Sequence, residues 1–479
     1  MIRVKRRLNV ILFVPETIRG DAVFGDPWGR AKTPALDAFR SEAVAFTHCF
    51  AQNPFCTPSR CSFLTGLYPH THGHRSLLHL LHAHERNLLR DLKEAGYYTA
   101  VFGKNDVLAP DAVPAALDEW KPRVLPRDRP RHHPPPDRRW EAGFYLGKRD
   151  PSPCHDDDAA FLDSALDVIA HPPQEPFCLF LPFHFAHPAY TVEEPWFSLH
   201  NRDAVSPPYP PHFEGKDPYY RLYYERSGLA ELTPADLREI RAVYWGMISR
   251  VDHLFGRLIE GLQKHGLWDR TALFFFSDHG DFAGDYGLVE KWNCGTEDCL
   301  LHVPLLFRVP GRSPAGLVRD GIVELLDLYA TVLDAAGVRS GHSHFSRSLL
   351  PDHPDALLPE GRDAAFSHSG HSLHETQCLT PQTLVKGSWY ERRNGLLHDR
   401  PDLRTRRVTL RTRRYRYVYW PEGLEQLYDL EEDPGALVNH AAEAAYAPLL
   451  REFRERILRH LLETSDTTPL VPDPRRFPA

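Results

Sequence analysis

Apolar residues along this chain come in two rhythms. Unbroken apolar runs at residues 10–14, 98–102, 177–183 and 271–276 read as strands buried on both faces, which is the pattern of a parallel sheet covered by helices on each side. Residues 85–95, 234–265 and 323–336 instead carry apolar positions at helical spacing. Thr233-Pro234 with Asp236 supplies a cap, a first-turn proline and a first-turn acid for the second of these. Strands and helices alternate through the first three-quarters of the chain, predicting an α/β sandwich around a mainly parallel sheet. Residues 122–140, with Arg127, Arg129, Arg131, Arg138 and Arg139, and residues 193–224, with Pro207-Pro208-Tyr209-Pro210-Pro211, hold too much proline for regular elements. Both read as long loops that shape a pocket; the first reads equally as a solvated basic loop. Residues 367–394 read as loops, and 407–420 alternate polar and apolar residues in strand fashion.

A chain of 479 residues has room for one large domain and a smaller one. Its 57 Lys and Arg against 64 Asp and Glu give a net charge of −7, so no global basic field points to nucleic acid. Arg3, Lys5, Arg6 and Arg7 ahead of residues 10–14 imitate a signal peptide, but the apolar run is too short and no small-residue cleavage site follows. No segment approaches membrane-spanning length, so the expectation is a cytoplasmic protein without a membrane partner. Eight cysteines in a chain this long do not make a secreted disulfide framework, and Cys294 with Cys299 has no matching Cys-x-x-Cys pair elsewhere for zinc.

Candidate chemistry clusters where strands end. Cys56-Thr57-Pro58-Ser59-Arg60, continuing Cys61-Ser62-Phe63-Leu64-Thr65-Gly66, suits a helix start with Thr57 as cap and Pro58 at the first helical position. Cys56 would then lie at a helix N-terminus, which favours an anion, with Arg60 adding a charged donor. Ser277-Asp278-His279-Gly280 directly follows the run at 271–276, Glu16-Thr17 follows the first strand, and Gly103-Lys104-Asn105-Asp106 follows the run at 98–102. Phe183-His184-Phe185-Ala186-His187-Pro188 closes another strand, and Gly284-Asp285-Tyr286-Gly287-Leu288 leads to Lys291.

These motifs, in this order over nearly the whole chain, resemble the type I, formylglycine-dependent sulfatases of the alkaline phosphatase-like superfamily, and Asp278-His279-Gly280 resembles their iduronate and glycan sulfatase variant. The resemblance implies a large mixed, mainly parallel sheet sandwiched by helices over residues 1–375. It also implies a small C-terminal antiparallel sheet with a terminal helix over 376–479, where Arg411 to Tyr417 and Gln426 to Leu430 look like the family. It implies that a formylglycine-generating enzyme oxidises Cys56 to an aldehyde whose hydrate attacks sulfur, helped by Arg60 and one divalent metal, calcium by preference. By the same resemblance Glu16, Thr17, Cys56, Asp278 and His279 hold that metal, and Lys104, His187 and Lys291 bind sulfate. His187 or Lys291 protonates the leaving oxygen, and Asp106 stands where the family places a histidine base. His184 reads as a pocket or core histidine, and His72 and His74 as pocket-lining residues. The implied substrate is a sulfate ester of a sugar or an aryl alcohol. Two alternatives stay open: a formylglycine-dependent phosphonate monoester or phosphodiester hydrolase, and a sulfated-ligand binding protein without catalysis.

Overall fold

Strand β1 (Asn9–Pro15) is buried at every position. Its side chains alternate between two cores, Ile11 and Phe13 in one and Val10, Leu12 and Val14 in the other, so a strand covered on both faces has to be apolar throughout. The computed structural model describes residues 7–25, 29–122, 137–150, 157–351 and 358–471. Arg3, Lys5, Arg6, Cys154 and most of the basic segment expected as a loop at 122–140 lie outside the described residues.

The main sheet contains β1 with β2 (Val44–Phe50), β3 (Tyr98–Gly103) and β4 (Glu119–Pro122), all from the N-terminal third. A separate two-stranded ribbon pairs β5 (Tyr145–Lys148) with β7 (Tyr190–Val192), and the main sheet resumes with β6 (Phe177–Phe183), β8 (Thr271–Phe276), β9 (His302–Arg308) and β10 (Leu317–Glu324). The order is β10-β2-β9-β8-β1-β6-β3-β4, with β9 antiparallel to both neighbours and every other pairing parallel. The long helix Pro234–Lys264 packs on one face through Ile240, Val243, Met247, Val251 and Phe255. Thr233 and Asp236 close its first turn as a reciprocal capping box, as their spacing predicted. On the other face lie the helices Cys56–Thr65, Leu88–Glu94 and Leu328–Ala336.

A second, four-stranded antiparallel sheet joins β11 (Ala365–Ser369), β12 (Arg407–Arg411), β13 (Tyr415–Tyr419) and β14 (Glu425–Asp429), backed by the helix Ala447–Thr464. β11 therefore precedes the boundary at 376 drawn from the sequence, and residues 367–369 are strand rather than loop, because Ser367 pairs with Thr409 across the ladder. The helix expected from 323 begins at Leu328, since Val323 and Glu324 complete β10 beside Cys49 and Phe50. Arg407, Arg411 and Arg416, on the strands of this sheet, are buried against Asp217, Asp298 and Glu297 instead of lying on a solvated face.

Candidate functional site

Four adjacent strands, β8-β1-β6-β3, run parallel and so end at one edge of the sheet. The residues that follow them converge there: Asp278 and His279 after β8, Glu16 after β1, His184 and His187 after β6, and Lys104 after β3. This is the carboxyl edge at which open α/β sheets build their sites. Gly280 lets the chain leave β8 tightly, since a Cβ there would lie 2.0 Å from the Cys299 carbonyl oxygen.

The helix bearing the nucleophile motif starts two residues earlier than its sequence suggests. Phe55, with its N–H bonded to Asn53 Oδ1 at 2.8 Å, is the cap, and Cys56 is the first helical residue. Cys56 is buried, and its Sγ donates to Glu16 Oε1 at 2.6 Å and lies 3.3 Å from His279 Nε2. Burial and the neighbouring Glu16 carboxylate push the thiol pKa well up, so Cys56 is held neutral. The His279 Nδ1–H faces the Gly280 carbonyl at 2.9 Å, which leaves the Nε2 lone pair directed at the cluster. Glu16, Cys56, Asp278 and His279 each offer one ligand atom, all within 4.8 Å of one another. Thr17 is held at a left-handed φ of 59°, and its buried hydroxyl has no hydrogen-bond partner among the described residues. Two carboxylates and an imidazole this close together fit a divalent cation, and Thr17, following Glu16 in the chain, adds a buried oxygen without a hydrogen-bond partner among the described residues.

Cations surround these carboxylates. Lys104 Nζ sits 2.9 and 3.0 Å from the two oxygens of Glu16 and 2.7 Å from Asp106 Oδ2. Arg60, fully buried, donates Nε to Asp278 Oδ2 at 2.8 Å and Nη1 to the Lys104 carbonyl at 3.0 Å, so it steadies a ligand rather than touching Cys56. Burial would raise the Glu16 pKa, but Lys104, His187, His184 and Arg60 outweigh it and hold the carboxyl well below its usual range. Lys291 Nζ is 2.7 Å from His187 Nε2 and 2.8 Å from Glu290 Oε1. Burial, then Lys291, depresses the His187 pKa well below that of free imidazole, so the pair carries its proton on Lys291.

Sequence reasoning missed Glu290 and Arg393. Arg393 pairs with Glu290 and donates to the Lys291 carbonyl at 2.6 Å, fixing the lysine from behind. Arg393 comes from the helix Glu391–Asp399, inside the segment read as loop, and nothing in its local pattern marks it. His184 stacks on His187 with ring centroids 5.0 Å apart and its Nδ1 3.7 Å from Glu16. His72 and His74 pair instead with Glu85 and do not line the cavity.

Cys56, Lys104, Asp106, His187 and Lys291 open into one cavity of 1260 Å³, walled by Trp389, Tyr390, Arg393 and Leu397. No residue of the proline-rich segment 193–224 lines it. That expectation fails because the segment folds around the helix Pro218–Ser227, whose Tyr219 stacks at 3.9 Å on Trp292 and supports the wall from outside. One side of the wall comes from residues 371–397.

Over 96% of this chain and 96% of its own length, the multifunctional alkaline phosphatase superfamily protein PehA of Trinickia caryophylli is 25% identical. Human arylsulfatase K is 25% identical over 92% of this chain and 80% of its own. Among solved structures, the phosphonate monoester hydrolase of Agrobacterium radiobacter superposes with a TM-score of 0.76 at 23% identity, covering 96% of both chains. A 2-O GAG sulfatase superposes at 0.70 with 19% identity, covering 96% of this chain and 93% of its own. At these identities the solved structures establish the alkaline phosphatase-like fold. The family model described as Sulfatase matches residues 8–338, more than two-thirds of the chain, and that span contains Glu16, Cys56, Lys104, His187, Asp278, His279 and Lys291: the chain belongs to the sulfatase family, the sulfuric ester hydrolases.

Proposed function

We propose that this protein hydrolyses sulfate monoesters of sugars or aryl alcohols at Cys56, after that residue has been oxidised to formylglycine. The observation that carries this reading is the place of Cys56 Sγ, at a helix N-terminus, 2.6 Å from Glu16 and 3.3 Å from His279, on the wall of a cavity that also presents Lys104 and Lys291. Sγ marks the position that the hydroxyls of the hydrated aldehyde take. Because Cys56 is 2% exposed in the folded protein, a formylglycine-generating enzyme has to reach it before the chain folds. The seven described cysteines are all free and buried, which supports placing the protein in the cytoplasm.

In this mechanism Glu16 Oε1 accepts the proton of the attacking hydroxyl. Glu16, Asp278 and His279 would hold a divalent cation, with the oxygen at position 56 and Thr17 as further donors; such an ion would supply the positive charge that acidifies a hydroxyl and draws electron density from a sulfate oxygen. Calcium leads by resemblance, with magnesium or manganese as alternatives suited to an imidazole ligand. Lys104 and Lys291 face the sulfate oxygens and stabilise charge that develops on them. Lys291, next to neutral His187, gives its proton to the departing alcohol oxygen. Asp106, on the cavity wall, deprotonates the second hydroxyl as sulfate is expelled. The cavity exceeds the 300–1,000 Å³ or so of a typical small-molecule pocket, which supports a sugar or oligosaccharide ester.

A second reading, hydrolysis of phosphonate monoesters or phosphodiesters, is favoured by the likeness to PehA and to the phosphonate monoester hydrolase. Those esters carry one negative charge, as sulfate monoesters do, so the same lysines would accept either. Matched 4-nitrophenyl sulfate, phenylphosphonate and phosphodiester substrates, offered to metal-loaded protein whose formylglycine content at Cys56 is established by tandem mass spectrometry, separate the readings. A higher kcat/KM on sulfate supports the first and a higher one on phosphorus the second. Binding of sulfated ligands with no turnover of any ester would leave a binding role.

A further inference from the structure

Three histidines far apart in sequence meet at the seam between the two sheets. His70 comes from the short helix Pro69–His72 of the catalytic domain, His368 from β11, and His460 from the C-terminal helix Ala447–Thr464. Each offers a ring nitrogen, and these nitrogens all lie within 4.8 Å of one another. His368 and His460 are buried, and their Nε2 atoms face each other at 2.9 Å.

The hydrogen bonds settle which nitrogen of His70 is free. Thr464 donates its hydroxyl proton to the His460 carbonyl at 2.6 Å, so toward His70 Nε2, 2.9 Å away, its oxygen can only accept. His70 therefore carries its proton on Nε2. Its Nδ1 is left as a buried lone pair with no hydrogen-bond partner among the described residues. A buried acceptor without a donor costs free energy unless something fills the place. The His460 ring is oriented on two sides, by Phe366 stacked at 3.9 Å and Tyr68 edge-on at 4.6 Å. Of the neighbouring guanidinium groups, Arg75 and Arg406 share the one carboxylate of Glu375, and Arg362 pairs with both Glu324 and Asp327.

We infer that His70, His368 and His460 form a second metal site, taking a borderline transition-metal dication, zinc first, through three imidazole nitrogens with one position left for water. Zn–N bonds of about 2.0–2.1 Å place ligand nitrogens about 3.3 Å apart in a tetrahedron, so the facing Nε2 atoms need part by only about 0.4 Å to admit the ion. Neutral imidazoles without a carboxylate select zinc, copper or nickel over calcium and magnesium. The site shares no residue with the cluster around Cys56. An ion there ties the C-terminal helix and β11 to the catalytic domain. It also steadies the chain before the nucleophile, because the His368 carbonyl accepts from Asn53 Nδ2 at 2.7 Å and Asn53 Oδ1 accepts from the Phe55 N–H.

The test uses full-length protein carrying Asp278→Asn and His279→Ala, so that the active-site cluster is disabled, stripped with chelator and titrated with zinc and separately with cobalt. The expected result is one zinc per chain by equilibrium dialysis, a visible cobalt d–d spectrum of a low-coordinate nitrogen-ligated ion, and a zinc-dependent rise in Tm. Adding His460→Gln should bring the stoichiometry to zero and remove the spectrum and the Tm response. If that protein does not show the parental circular dichroism, His70→Gln, at the more exposed ligand, replaces it. No zinc bound in the parent, or zinc bound undiminished in the histidine variants, as would follow from occupancy of His72, His74 and Glu85, overturns the assignment.

Discussion

If Lys291 is the proton donor to the leaving oxygen, Lys291→Met should damage turnover in proportion to how much the leaving group needs a proton. Lys291 Nζ is held 2.7 Å from His187 Nε2 and 2.8 Å from Glu290, with its side chain 4% exposed, and the Nδ1 side of His187 is engaged with the Pro188 carbonyl. Removing one positioned donor to a developing anion costs about 10²–10³ in kcat, and this loss falls on every ester. Losing the general acid costs a further 10²–10⁴ or so, about 3–5 kcal/mol at 1.36 kcal/mol per decade, but only where the departing alkoxide is strongly basic. The ratio of kcat/KM for 4-nitrophenyl sulfate to that for an alkyl or sugar sulfate should therefore rise by about 10²–10⁴ in the variant. Both rates are normalised to formylglycine content and measured with saturating metal. A ratio that stays within roughly threefold of the parent, whatever the absolute loss, would refute proton donation and leave Lys291 as a sulfate-oxygen ligand alone.

Other consequences are equally direct. Chelation should abolish activity and a divalent cation restore it, while Asp278→Asn, which loses an anionic ligand that Arg60 also holds at 2.8 Å, should raise the metal concentration for half-activation at least tenfold by titration. Gly280→Ala should destabilise the fold by about 3 kcal/mol or more in urea unfolding, since its Cβ would meet the Cys299 carbonyl at 2.0 Å; unchanged stability would contradict that packing. Burial, then Lys32 and Arg202, depresses the His200 pKa to about 4 beneath its bond to Ser249. Below pH 6.5 the unfolded chain takes up a proton there that the folded chain refuses, so stability is lost as pH falls from about 6.5 toward 4, by up to about 3 kcal/mol. His200→Gln should flatten that part of the stability–pH curve measured by denaturant unfolding, and an unchanged slope would show that His200 does not carry it.

The strands that were legible are those buried on both faces. β1, β3, β6 and β8 have a strand on either side and are buried almost throughout, so nearly every residue has to be apolar and the run is its own signal. β2 and β10 escaped because they mix polar residues into their pattern: Thr47 and His48 in β2, and Arg319, Asp320 and Gly321 in β10. The C-terminal arginines hide their partners for a related reason. Alternation of polar and apolar residues over 407–420 fits a strand, but it does not say which face is wet. Here Asp217, Glu297 and Asp298 wait on the buried side, and that is a property of segments nearly two hundred residues away or about one hundred and twenty.

The site was legible residue by residue and illegible in its charge balance. Two anionic ligands, Glu16 and Asp278, suffice on paper for one dication. Folding brings Lys104 to 2.9 Å from Glu16 and Arg60 to 2.8 Å from Asp278, so both carboxylates are already paired before any ion arrives. Glu290 and Asp106 likewise answer Lys291, Arg393 and Lys104, and four carboxylates face four cations. A dication entering a buried cluster that is already neutral leaves a surplus of positive charge, which burial makes expensive. An ester bearing one negative charge relieves that surplus, and the ion in turn strengthens the hold on the ester. Metal and anion should therefore bind each other's charge as much as they bind the protein, a coupling that follows from Lys104 and Arg60 having two partners each and that no single motif could reveal.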